Sequence, residues 1–151
     1  MSVETSLHKV LHNLFDLADF SVLEPLVNLC RLQGLVAGES LFEEGGEGTS
    51  MYFIIEGKLA VHKETSMAGK RQAVALLGPG SVVGEGVLGG KTVRGATLVA
   101  VEKSVLAELS LSRFHGLEKN DPQLALTVVK KMLKLSSIRL QKSSERLALI
   151  L

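Results

Sequence analysis

Apolar residues near the N-terminus recur every three or four positions, which is the spacing of one face of a helix. The pattern covers residues 4–32 and predicts helices there. Asp19 or Ser21 is the predicted cap of the second helix, because short polar side chains accept hydrogen bonds from the first free amides of a helix. The apolar positions are Leu7, Val10, Leu11, Leu14, Phe15, Leu23, Leu26, Val27 and Cys30.

The middle of the chain alternates short apolar runs with turns that contain glycine. Fourteen of the fifteen glycines lie between Gly34 and Gly95. Short strands at close and regular spacing, separated by such turns, are typical of all-β barrels and sandwiches. The strands are predicted at residues 35–37, 41–43, 51–56, 58–63, 72–77, 82–84, 96–101 and 105–110.

A long helix is predicted after Asn120-Asp121-Pro122, because Asp or Asn caps a helix and proline fits its first turn. Its apolar positions continue to about residue 148 in alternating steps of three and four, as in a coiled-coil seam. The seam either packs on its own domain or pairs with a second copy. We favour a dimer, because Leu124, Val128 and Leu135 give the domain a second apolar edge. The seam residues are Leu126, Val129, Leu133, Ser136, Leu140, Ser143, Leu147 and Ile150.

Composition narrows the class of protein. A chain of 151 residues, 46% of them hydrophobic, is long enough for one domain with a buried core. A net charge of +1 gives no compositional sign of a nucleic-acid or membrane partner. The single Cys30 excludes a disulfide framework and is expected in the core rather than as a nucleophile. Because there is neither a membrane-length apolar run nor a signal peptide, we expect a soluble, cytoplasmic protein.

The stretch GEGVLGGKTVRGAT, residues 84–97, raises the question of a phosphate site. Its GxGxxG pattern starting at Gly84 fits a dinucleotide-binding loop, but such a loop must run into a helix. Here a predicted strand follows instead. A helix starting near Gly86 would also contain Gly89 and Gly90, at a cost of about 1 kcal/mol each. The context therefore favours a cradle for a different phosphate.

Glu85 and Arg94 give this cradle its chemistry. A glycine-rich backbone brings amide groups close to an anion, and an arginine adds a two-pronged charged contact to a phosphate. A glutamate only accepts hydrogen bonds, so Glu85 suits a sugar hydroxyl. The two residues can therefore hold a ribose and its phosphate together. The alternative is that they only pair with each other at the surface.

The pattern Gly84-Glu85-x-x-Leu88-x-x-x-x-x-Arg94-x-Ala96 resembles the phosphate-binding cassette of cyclic-nucleotide-binding domains. Upstream, residues 41–61 resemble the β-roll signature of the same family. The upstream matches are Gly45, Gly48, Met51-Tyr52-Phe53-Ile54 and Gly57, and GPGSVVGE fits the family's approach to the cassette.

The resemblance covers nearly the whole chain and implies a mainly β fold with flanking helices. The expected architecture is an eight-stranded β-roll, a jelly-roll or double-stranded β-helix, in a single domain over residues 1–151. The N-terminal helices are expected at 1–33, the β-roll at 34–112 with its cassette at 84–97, and the long C-terminal helix at 121–149.

The resemblance also implies a role for each cassette residue. Glu85 binds the ribose 2′-hydroxyl, Arg94 neutralises the cyclic phosphate, and backbone amides complete the cradle. The sequence departs from the family pattern at Gly86-Val87, where a bulky apolar residue and an alanine are usual, and at Gly89-Gly90, which loosen the turn. The implied ligand-binding set is Gly84, Glu85, Gly86, Val87, Arg94, Gly95, Ala96, Ser143 and Ser144.

The C-terminal stretch RLQKSSE, residues 139–145, resembles the long helix of the bacterial catabolite activator family. There, a pair of hydroxyl residues contacts adenine, one from each subunit of a dimer, and Ser143 and Ser144 fill those places. Members selective for cGMP often have Thr after the arginine, whereas this chain has Gly95. The resemblance therefore implies cAMP as the ligand in preference to cGMP, and no metal.

The implied function is that of a stand-alone cyclic-nucleotide receptor. It would form a homodimer through the C-terminal helix and signal to an effector protein that the sequence does not name. We expect no direct DNA binding, since the chain stops at Leu151, and no enzymatic activity, since no catalytic motif is present. Two alternatives remain open: a β-roll interaction module that no longer binds nucleotide, favoured by Gly86-Val87, and the sensor half of a multi-chain transcriptional or kinase regulator.

Overall fold

The computed structural model describes residues 2–17, 19–67 and 69–151. Met1 and Ala18, which fall in the predicted N-terminal helical segment, and Ala68 lie outside the described residues. Helix α1 spans Val3–Phe15, a 3₁₀ turn spans Phe20–Leu23, and helix α2 spans Glu24–Leu29. The predicted cap at Asp19 belongs to the 3₁₀ turn, because the Asp19 carboxylate accepts a hydrogen bond from the Ser21 amide.

The first strand begins where helix was predicted. Strand β1 spans Arg31–Leu35, so the helical prediction is wrong for residues 31 and 32 and the strand prediction of 35–37 starts too late. Cys30 continues the apolar spacing of α2, but its backbone is extended, and residues 31–35 pair with residues 104–108. Tertiary pairing overrides such a local periodicity. Cys30 packs against the core, and burial raises the pKa of its thiol to about 12, in keeping with the predicted core position.

Eight strands in the described residues form two four-stranded antiparallel sheets, which confirms the predicted β-roll. The strand order is β1-β8-β3-β6 in one sheet and β2-β7-β4-β5 in the other. Strands β2 to β8 agree with the prediction to within one residue at each end. They span Ser40–Phe42, Ser50–Glu56, Leu59–Glu64, Arg71–Leu77, Val82–Val83, Thr97–Ala100 and Ser104–Ser110.

Strand β3 divides the core into two layers. Successive side chains of a strand point to opposite faces, so Met51 and Phe53 pack in a cluster with the helices. Tyr52 and Ile54 pack in a second cluster between the two sheets. The strand is buried on both faces, which explains why its sequence is apolar without alternation.

Two helices follow the β-roll. Helix α3 spans Leu111–Asn120 and was not predicted; Ser110 caps it, and Phe114 and Leu117 bury one face three residues apart. Helix α4 spans Pro122–Ile150, with Asp121 as its cap and Pro122 in its first turn, as predicted.

The predicted second apolar edge of α4 packs on the domain. Leu124 and Val128 are buried, and Leu135 packs against the same cluster at its border. Residues 141–150 are all exposed. The described helices include none with the length and hydropathy needed to cross a bilayer.

Candidate functional site

The backbone of the cassette is a tight 3₁₀ turn between two strands. Strand β6 ends at Val83, Gly84 follows with a left-handed φ of 73°, and the 3₁₀ turn spans Glu85–Gly89. The chain then leads into β7. A dinucleotide loop needs a full helix at this point, so the structure agrees with the rejection of that interpretation.

Arg94 is fastened to the glycine turn before β3. Its amide donates to the Gly46 carbonyl at 2.8 Å, and its carbonyl accepts from the Gly45 amide at 2.9 Å. The Gly48 amide donates to the Thr92 carbonyl at 2.8 Å. The two sequence motifs singled out above are therefore hydrogen-bonded to each other, although about fifty residues separate them.

The Arg94 guanidinium is buried between the sheets and the cassette. The residue is 8% exposed. Its Nη2 donates to the Ser50 carbonyl at 2.7 Å, and its Cζ lies 4.0 Å from the centre of the Phe42 ring. Burial lowers the pKa of Arg94 from its ordinary value, but arginine stays protonated in proteins.

Only glycine fits on either side of this guanidinium. A Cβ on Gly84 would lie 2.6 Å from Arg94 Nη1, and a Cβ on Gly48 would overlap Arg94 Nε and Cζ. The family resemblance identified Gly48 as a match without giving a reason. The structure supplies it, because the arginine side chain occupies the space in which a residue 48 side chain would lie.

Among the described residues, the positive charge of Arg94 has no anionic partner. Across residues 2–17, 19–67 and 69–151, no carboxylate lies within 4.0 Å of the guanidinium, and Nε–H has no acceptor. Guanidinium carries five N–H donors. A buried charge without a partner is costly, so the arrangement around Arg94 suits pairing with an anion.

Glu85 pairs with helix α4 and not with Arg94. Arg139 Nη1 lies 2.7 Å from Glu85 Oε1, and Arg139 Nη2 donates to the Val82 carbonyl at 2.6 Å. The Glu85 side chain is 17% exposed. The alternative of a surface pair between Glu85 and Arg94 is thus wrong. The sequence does not predict this role for Arg139, since nothing in its local pattern distinguishes it from the other basic residues of α4.

The remaining cassette residues divide into two groups. Gly86 lies in the 3₁₀ turn, and Gly95 and Ala96 lie in the bend before β7. No described residue accepts a hydrogen bond from these three amides. Val87 is different, because its side chain is 4% exposed in the helix-side core and its amide donates to the Gly84 carbonyl. The structure therefore places the Val87 side chain in the core.

Residues 32–121 of the 151 match the family model described as Cyclic nucleotide-binding domain. The matched region includes the glycine turn, Arg94 and the whole cassette. The chain belongs to the cyclic nucleotide-binding domain family.

Several curated proteins and solved structures are similar to this cyclic nucleotide-binding domain. The chain is 33% identical over 88 residues to a Cyclic AMP receptor protein of Thermus thermophilus, covering 58% of this chain and 40% of that protein. The Catabolite Activator Protein structure from T. thermophilus matches with a TM-score of 0.78 and 26% identity, covering 91% of this chain and 62% of that one. A cyclic nucleotide-binding domain from Methylobacillus flagellatus matches in fold with a TM-score of 0.85 and 23% identity, covering 93% and 82%. The matches span between 6% and 54% of the curated relatives' lengths.

The two serines of α4 lie one turn beyond Arg139. Both are exposed. At 3.6 residues per turn, Ser143 is rotated by about 40° from Arg139, whereas Ser144 is rotated by about 140°. Ser143 therefore shares the helix face that Arg139 directs at the cassette of its own domain, and Ser144 lies on a different face.

Replacing Arg139 by methionine is expected to loosen α4 from the cassette. The pair with Glu85 is partly exposed, so we expect a loss of about 1 kcal/mol or less, seen as up to about fivefold faster amide exchange. Hydrogen exchange with mass spectrometry on peptides from residues 136–151 measures this. Arg146→Met on the same helix is the matched control, since Arg146 is exposed. Equal exchange in the two variants would contradict the proposed link.

Proposed function

We propose that this protein is a cyclic-nucleotide receptor whose preferred ligand is cAMP. The observation that carries the proposal is the buried Arg94 guanidinium, which has no carboxylate partner among the described residues and lies against the cassette glycines. A cyclic phosphate would supply the missing negative charge. Charged hydrogen bonds of this kind contribute about 1.5–3 kcal/mol each.

Glu85 is the proposed ribose contact. A carboxylate only accepts hydrogen bonds, so a sugar hydroxyl suits it better than a phosphate oxygen does. Arg139 orients the carboxylate through the 2.7 Å contact. The backbone groups of Gly84, Gly86, Gly95 and Ala96 are proposed to complete the cradle; for the last three, amides without acceptors among the described residues support this.

The proposed preference for cAMP rests on three points. Gly95 offers no hydroxyl to a guanine. Ser143 and Ser144 are exposed hydroxyls one turn beyond Arg139 and are proposed to contact the adenine. The relative from T. thermophilus bears the name Cyclic AMP receptor protein.

The proposed output is a change at helix α4. Arg139 links the ribose-binding carboxylate to the helix, so a ligand that changes the surroundings of Glu85 shifts the position of α4. Such a shift is limited by the difference in ligand affinity between the two states. We propose that α4 pairs with a second copy and presents a surface to an effector protein in the cytoplasm, with no catalysis and no DNA contact by this domain.

A second candidate is an interaction module that keeps the β-roll without binding nucleotide. The observation that favours it is the existing pair between Glu85 and Arg139, because a ligand must share or displace that contact.

Titration calorimetry of the folded protein with cAMP and cGMP distinguishes the two functions. The receptor function predicts saturable binding with a micromolar Kd, which corresponds to a binding free energy of about −8 kcal/mol. It also predicts that cAMP binds more tightly than cGMP. Removing the carboxylate with Glu85→Ala is expected to weaken binding about tenfold to a hundredfold. Glu102→Ala, an exposed carboxylate in the turn after β7, is the control and should bind as the wild type does. Absence of heat with both ligands would favour the interaction module.

A further inference from the structure

The side chain of Lys91 lies across the cassette turn. A Cβ placed on Gly86 would lie 3.2 Å from Lys91 Cδ, and a Cβ placed on Gly95 would lie 2.8 Å from Lys91 Nζ. The aliphatic stem therefore passes over residue 86, and the ammonium reaches the place where a side chain of residue 95 would begin.

This path accounts for two features of the cassette sequence. A residue larger than glycine at position 86 would press on the lysine stem, and one at position 95 would meet the ammonium. Neither glycine has a left-handed φ, so backbone conformation does not require glycine at these positions. The side chain of Lys91 is the nearest group that a side chain at either position would meet.

The charge of Lys91 is available to a ligand. In the described parts of the chain, no carboxylate lies within 4.0 Å of its ammonium. The neighbouring Lys63 differs, because its Nζ donates to the Gly95 carbonyl at 2.6 Å and lies 3.5 Å from Glu44. The charge of Lys63 is therefore balanced by Glu44. The ammonium of Lys91, beside the same glycine, has no such partner among the described residues.

We propose that Lys91 is a phosphate-binding residue of this cassette, in which its ammonium takes the place of a side chain at position 95. The inference rests on the proposed function and adds to it. The cyclic phosphate meets two cations, the buried guanidinium of Arg94 and the exposed ammonium of Lys91. An exposed ammonium is screened by salt, so its share of the affinity depends on ionic strength.

Titration of the full chain with cAMP and cGMP at about 20 mM and about 500 mM salt tests the assignment. Lys91→Met keeps the stem and removes the charge. We expect about tenfold weaker binding at low salt and a smaller difference at high salt, a value between an exposed and a buried charged contact. Lys91→Arg should retain most of the affinity. Lys103→Met, which removes an exposed lysine in the turn after β7, should leave binding unchanged.

Gly95→Ser gives a test that a merely structural role of Lys91 would not satisfy. In the wild type the new Cβ displaces the ammonium, so binding weakens. In the Lys91→Met variant the same serine adds a hydroxyl to a site with no ammonium, so binding strengthens. Thermal unfolding confirms that each variant is folded.

The outcomes separate this inference from the proposed function. Nucleotide binding that is equal in the wild type and Lys91→Met at low salt, or an effect of Gly95→Ser with the same sign in both backgrounds, overturns the role of Lys91 and leaves the receptor function intact. Failure of the folded wild type to bind either nucleotide overturns both.

Discussion

Replacing Gly48 by alanine is expected to abolish cyclic-nucleotide binding, although residue 48 lies outside the cassette. The added Cβ would overlap Arg94 Nε and Cζ and would lie 2.8 Å from Arg94 Cδ. The guanidinium must then leave the Phe42 ring and the Ser50 carbonyl. Because Arg94 is the proposed centre of phosphate binding, its displacement removes the main charged contact.

The same substitution is expected to destabilise the domain. Overpacking in a well-packed region costs about 1–3 kcal/mol, and Arg94 is buried at 8% exposure. Urea unfolding measures the loss of stability, and calorimetric titration with cAMP measures the loss of binding. At a temperature where the variant remains folded, we expect no saturable heat.

Two matched variants isolate the cause. Gly34→Ala adds a Cβ at a glycine in a strand that has no atom within 4 Å of the new group, so it should preserve both stability and binding. Gly48→Ala made together with Arg94→Ala should cost less stability than Gly48→Ala alone, because the overlapping side chain is gone and neighbouring substitutions are not additive. Normal cAMP binding by Gly48→Ala would contradict the proposed role of Arg94.

The fold was largely predictable because its turns and strands leave local signals. Glycine turns set the ends of the short strands, and the resemblance of two separate motifs implied the β-roll. The helical spacing through Cys30 gave a wrong prediction of helix at the start of β1, because pairing with β8 is a long-range interaction that local spacing does not reveal. Helix α3 was missed because only Phe114 and Leu117 mark its buried face.

The site was less predictable because its contacts join distant residues. The resemblance pointed to Glu85 and Arg94, but the partner of Glu85 lies 54 residues away on α4. Lys91 was not predicted for a different reason: its proposed role depends on the missing side chains of Gly86 and Gly95. The sequence alone presents Gly86 as a departure from the family pattern and Gly95 as an indication of cAMP preference. Val87 is a departure from the family pattern that the structure explains by packing, because its side chain lies in the core.

Helix α4 carries an apolar seam that its own domain leaves uncovered. Leu133 is 66% exposed and Leu140 is 69% exposed, and Leu126, Val129 and Leu147 are also exposed. These positions follow the alternating steps of three and four that allow two identical helices to pack together. A helix of this length is about 43 Å long, which gives a second copy an extended surface to cover.

Replacing Leu133 by glutamate is therefore expected to convert a dimer into a monomer. Burying a leucine contributes about 1.5–3 kcal/mol, the substitution acts twice in a symmetric dimer, and the introduced carboxylate would be buried without a partner at a further cost. Together these terms predict that the dissociation constant of the dimer rises by about a hundredfold or more. Sedimentation equilibrium measures this constant directly.

Leu149→Glu places the same change at an exposed leucine outside the seam and should leave the dimer intact. A monomeric wild type, or equal dissociation constants for the two variants, would contradict a dimer through α4. If Ser144 contacts the nucleotide of the partner, the monomeric Leu133→Glu variant should also bind cAMP more weakly, although its own cassette is unchanged.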